Sequence, residues 1–123
     1  MEASFDLLAA SLRADTQDLR SFVEALAAKL TGAFPDRVRV DRGGLLGNKR
    51  VKAVSVELGD ERYELEHDDG RVACRRSSVV RGITLKSKEL ELDAWIDELS
   101  HQLFEEAGRS ERDRAALERL LSE

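Results

Sequence analysis

Proline and cysteine occur once each, histidine twice, and aromatic side chains make up only 5% of the sequence. Each scarcity removes a class of explanation. A single cysteine, Cys74, cannot close an internal disulfide, which fits a reducing compartment and leaves stability to a hydrophobic core. With few aromatics, that core has to be built from Leu, Val and Ala. No apolar run approaches the roughly 18 residues of a membrane-spanning helix. The N-terminus also lacks the basic-then-apolar order of a secretion signal, so a cytoplasmic location is expected. No two histidine or cysteine residues have the close spacing that makes a zinc site legible.

What is present is a charged but periodic chain. Charged residues form 37% and the apolar set 41%, too apolar for disorder and too polar for a membrane span. A length of 123 residues suits one core. No repeat, low-complexity tract or linker divides it. We therefore expect one α+β domain over 1–123. It comprises an N-terminal helical segment (1–33), a five-stranded antiparallel β-meander (36–88) and a C-terminal helical segment (92–121) that either bends or breaks at Gly108, with both helical segments on one face of the sheet.

The clearest local signal is the hairpin from Tyr63 to Cys74. Asp69-Gly70 suits a two-residue type I′ turn, which needs positive φ at both central positions. That turn sets Asp68 opposite Arg71, His67 opposite Val72, Glu66 opposite Ala73, Leu65 opposite Cys74 and Glu64 opposite Arg75. One face then collects Tyr63, Leu65, His67, Val72 and Cys74, and the other carries opposite-charge pairs worth about 0.2 to 1 kcal/mol each.

Around the hairpin, Phe5, Leu8, Leu12, Leu19, Phe22, Val23, Leu26 and Leu30 recur at helical spacing over 4–31. A break at 15–18 resembles an N-cap, and Gly32 with Pro35 is the stop. Val38 and Val40 mark a first strand, and Val54, Val56 and Leu58 a second. Val51 is out of phase with them, so a bulge is expected near Ala53. A fifth strand is expected over 79–86, with Ile83 and Leu85 inward and Gly82 as a second bulge. Asp93 reads as the N-cap of a helix carrying Ile96, Leu99, Leu103 and Ala107, with Trp95 beside the stripe. Past Gly108, Ala116, Leu117, Leu120 and Leu121 resume the stripe, in an extension or in a separate helix starting at Ser110. The outward residues Arg39, Ser55, Glu64, Glu66, Arg71, Ala73, Arg75 and Thr84 leave the second sheet face polar.

Net charge is −5 but unevenly placed: −2 over 1–35, +4 over 36–88 and −7 over 89–123. The sheet is basic and the helices acidic. Arg71, Arg75, Arg76, Arg81, Lys86 and Lys88 form a run without acids. Overall acidity and the lack of exposed aromatics for base stacking argue against nucleic acid as the ligand.

Few constellations carry chemistry. Cys74 and His67 share the core face of one hairpin, where a buried thiol is inert and no third group orients the imidazole, so catalysis is not expected. A metal site from His67, Cys74 and His101 would be one ligand short. No cofactor is implied. The loop from Gly43 to Asn48 has glycines followed by Lys49, but it fails the phosphate-loop pattern because Asn48 stands where glycine is required.

Two functional expectations remain. The first is a non-enzymatic protein-interaction module, a small acidic adaptor or chaperone-like protein that engages an unidentified protein partner. Its contacts would be Leu45, Leu46, Lys49 and Arg50 in the loop, or Leu117, Leu120 and Leu121 at the C-terminus. The alternative is a peripheral binder of anionic surfaces, lipid headgroups or nucleic acid, through Arg42, Lys52, Arg71, Arg75, Arg76, Arg81 and Lys86. A homodimer through an edge strand or the terminal helix fits either.

Overall fold

Apolar side chains repeating every three to four residues bury one stripe of a helix, and this builds α1 (Leu19–Ala33). The computed structural model describes residues 19–43, 50–68 and 70–121. Phe22, Val23, Leu26, Ala27, Leu30 and Ala33 are buried along the helix. The expected helical pattern over 4–18 lies outside the described residues, as does the loop over 44–49. Gly32 does not stop α1, which runs on to Ala33, and the Phe34 N–H still donates to the Leu30 carbonyl at 2.8 Å. The stop is Pro35, which has no N–H to continue the ladder.

Five antiparallel strands follow in sheet order: β1 (Val38–Gly43), β2 (Arg50–Leu58), β3 (Glu61–Asp68), β4 (Arg71–Val80) and β5 (Ile83–Leu90). The bulge lies where the valine phase requires it. Asp41 pairs with Ala53 and Arg42 with Val51, so Lys52 is the extra residue, and Val51 and Val54 are both buried. The β3–β4 register is the one Asp69-Gly70 implies, from Asp68 opposite Arg71 to Glu64 opposite Arg75. Gly70 takes φ +83°.

The end of the sheet differs from expectation. β4 extends to Val80, and Arg81-Gly82 is a two-residue turn joining it to β5, with Val80 opposite Ile83. Both turn residues have positive φ, 55° and 80°, the pattern of a type I′ turn. Gly82 is thus not a bulge. The second irregularity instead places Leu85 as an extra residue between the Ser78–Lys86 and Val79–Thr84 pairs. Ile83 and Leu85, expected inward, are 63% and 61% exposed, because the strand that carries them lies outside the helical layer.

That layer comprises α1, α2 (Leu92–Ala107) and α3 (Glu111–Leu121). α1 packs on β1 and β2, α2 on β2 and β4, and α3 against both helices. α2 starts one residue before the expected cap. Glu91 occupies the cap position without a side-chain bond, and Asp93 falls in the first turn. Strand pairing lasts to Leu90, so the single residue Glu91 must carry the chain into the helix. Trp95 sits between layers, its indole N–H donating to the Arg75 carbonyl at 3.2 Å and its ring edge-on to Tyr63.

The chain breaks after Ala107, and α3 is a separate helix. Ser110 caps it, its Oγ accepting from the Asp113 N–H at 3.0 Å. Polar residues interrupt the stripe here because the structure uses them as clamps. Asp113, 5% exposed, holds Arg37 at 3.0 Å, and Glu106, 6% exposed, holds Arg109 at 2.9 Å.

Candidate binding edge

A residue on a sheet edge meets solvent unless a helix covers it, and β5 is the edge that the described helices leave open. Every residue from Ile83 to Glu89 is exposed, and only Leu90 is half-buried. Val80, Ile83 and Leu85 are the exposed large apolar side chains among the described residues, and all three lie on the β4–β5 hairpin. Arg81 at the turn and Lys86 and Lys88 along β5 surround them, against the one acid Glu89. Lys88 pairs with Arg76 and Lys86 with Ser78. Tyr63, opposite Arg76, belongs to the core, so Lys86 and Lys88 project on the helical side of the sheet, beyond the helices. Lys86 and Lys88 take no ion pair among the described residues.

The other basic residues of the expected anionic-surface set do not join them. Arg75 lies on the open face against Glu64 at 3.2 Å and Glu66 at 3.9 Å. Its neighbour Arg76 turns to the helical side, to Glu61 at 3.5 Å and to Glu98. Arg42 pairs with Glu24 at 3.3 Å. Arg50 and Lys52 are exposed on β2, separated from β5 by two strands, and Arg71 lies at the opposite end of β4 from Arg81. Strand alternation thus divides a run that is continuous in sequence.

The expected partner-binding leucines divide differently. Leu45, Leu46 and Lys49 lie outside the described residues. Leu117 and Leu120 are 5% and 2% exposed in the core, and Leu121 is half-buried against it. The terminal helix therefore uses its apolar stripe within the chain, because α3 folds back onto α1 and α2 and does not project as a tail.

His67 and Cys74 are diagonal neighbours across β3 and β4, as the register implies. Burial, reinforced by the nearby Glu91 charge, pushes the Cys74 thiol up to about 12, so the thiolate needed for nucleophilic attack is scarce near neutral pH. The His67 Nε2 is buried with no hydrogen-bond partner among the described residues. His101 is on the exposed side of α2, 3.5 Å from Glu105. No group of three or more His, Cys, Asp or Glu among the described residues could hold a metal ion. No helix among them is long and apolar enough to cross a membrane.

Sequence reasoning missed the hairpin as a site because Arg81 is a poor residue for positive φ. The signal was an X-Gly dipeptide between Val79-Val80 and Ile83-Thr84-Leu85, two runs suited to strands. No family model matches the chain, and searches of curated proteins and of solved structures find no match either.

Proposed function

We propose that this chain is a non-enzymatic protein-interaction module, a small acidic cytoplasmic adaptor or chaperone-like protein that holds its partner through the β4–β5 hairpin. One observation carries the reading: the exposed large apolar residues Val80, Ile83 and Leu85 gather on one hairpin at an uncovered edge. Leaving such groups in water forgoes roughly 1.5 to 3 kcal/mol each relative to full burial, and clustered apolar exposure marks contact surfaces. The test is a pull-down from the native cell with wild-type protein and with Ile83→Asp plus Leu85→Asp. The expected result is loss of a stoichiometric protein that wild type retains at high salt, with an unchanged melting temperature. Equal capture by both proteins would remove the hairpin from this role.

A second reading is a peripheral binder of anionic surfaces, supported by the position of Arg81, Lys86 and Lys88 beside the same apolar groups. Lipid headgroups suit that arrangement better than nucleic acid, which would need stacking aromatics. Binding to anionic vesicles that collapses at high salt would favour it.

A further inference from the structure

The outer edge of β5 is unpaired among the described residues, and every second residue of an edge strand turns its N–H and C=O outward. Two occupants could complete that edge, a second copy of this chain or a strand from a different protein. The lysines decide between them. Paired residues in a sheet point to the same face, so two copies related by a two-fold axis must place some residue opposite itself. With the axis at Ser87, Lys86 meets Lys88 of the copy twice. With the axis at Lys86 or Lys88, a lysine meets its own copy. Moving the axis to Leu85 limits the overlap to 83–87, and moving it to Glu89 opposes two carboxylates in a shorter overlap still. Like charges placed directly opposite are destabilising. The central registers of self-pairing are therefore disfavoured.

We infer that β5 accepts an extended acidic segment of another protein as a sixth strand. Such a segment would place carboxylates at alternate positions opposite Lys86 and Lys88, with apolar side chains between them on the open face of the sheet. The inference rests on the interaction-module reading and specifies its partner. Main-chain hydrogen bonds supply the attachment, and the lysines select the charge pattern. Charge along the edge also sets the placement. Lys86 and Lys88 are followed by Glu89 and Glu91, so the carboxylates of the partner belong toward the hairpin turn and away from α2.

The test uses the full chain and a capped peptide of alternating Glu and Val as long as β5, 8 residues. Binding is read by anisotropy and its location by amide hydrogen exchange. The expected result is binding that slows exchange at alternate β5 amides. A matching peptide with proline at alternate positions, which cannot donate to the ladder, should not bind. Lys86→Glu with Lys88→Glu, both exposed positions, should weaken binding at least about tenfold and transfer preference to a Lys-Val peptide. Absence of β5 protection, equal binding of the proline peptide, or indifference to charge reversal would overturn the inference. Retention of phosphatidylserine vesicles, but not of the peptide, through the same lysines would also overturn it. The broader reading fails separately. If Ile83→Asp plus Leu85→Asp abolishes partner capture while the Glu-Val peptide shows no β5 protection, the module reading stands and only the acidic strand is refuted.

Discussion

Leu120→Ala is the substitution that most directly tests how the terminal helix is used. Leu120 is 2% exposed within the core cluster, so truncation removes buried methyl groups and leaves a void between α3 and the other helices. The expected cost is about 2 to 5 kcal/mol, the range for a buried leucine whose surroundings collapse only partly. For a domain of this size each kcal/mol lowers the melting temperature by roughly 4 °C, so a 3 kcal/mol loss corresponds to about 12 °C. Ile83→Ala provides the contrast. Ile83 is already 63% exposed, and the same truncation should cost only about 0.5 to 1 kcal/mol. Urea denaturation followed by tryptophan fluorescence measures both, since Trp95 lies between the layers. The slope with denaturant should stay constant while the midpoint moves several times further for Leu120→Ala than for Ile83→Ala. If Leu120→Ala cost less than about 1 kcal/mol, or Ile83→Ala as much as Leu120→Ala, the assignment of core and surface would be wrong.

Three further outcomes follow from particular contacts. The Glu24 carboxylate accepts the Val51 N–H at 2.9 Å and pairs with Arg42, which together hold its pKa below the ordinary 4.5. Its contribution is present above that value and fades as pH falls through the lowered folded value, so Glu24→Gln should flatten the acid limb of an unfolding-versus-pH curve below about 4.5. At the alkaline end, burial pushes Cys74 from 9.0 and Tyr63 from 10.0 up to about 12. The unfolded chain then loses these protons first, so stability should decline as pH rises above 9.0, and Cys74→Ser should reduce the decline between 9.0 and 10.0. Native Cys74 should also resist thiol reagents that label the urea-unfolded chain quickly. Gly59 takes φ +62°, and a Cβ there would stand 3.0 Å from the Glu106 Oε2. Gly59→Ala should therefore lower stability by about 1 kcal/mol or more in chemical denaturation, and Gly82→Ala, with open space around it, by less.

Much of the sheet was legible because its determinants are local. Asp69-Gly70 specified the β3–β4 register, and the slip between Val51 and Val54 revealed the bulge at Lys52. Gly108 and Ser110 marked where the C-terminal segment either bends or breaks, and the structure decides for a break between α2 and α3. The β4–β5 turn was obscured because Arg81 adopts positive φ that its side chain does not favour. That omission shifted the fifth strand and hid the exposed hairpin.

The two apolar groups on which the proposed function turns could not be sorted from sequence at all. Leu117 and Leu120 recur at helical spacing and Ile83 and Leu85 at strand spacing, patterns that state which side chains share a face but not what covers it. The sequence by itself determined the element types, the β3–β4 register and the bulge, because turn chemistry and periodicity act over a few residues. Only the tertiary structure decided that α3 folds back to bury its leucines while the described helices leave residues 83–89 of β5 exposed. That outcome depends on where the described helices fit over the sheet, a property of packing between elements far apart in sequence.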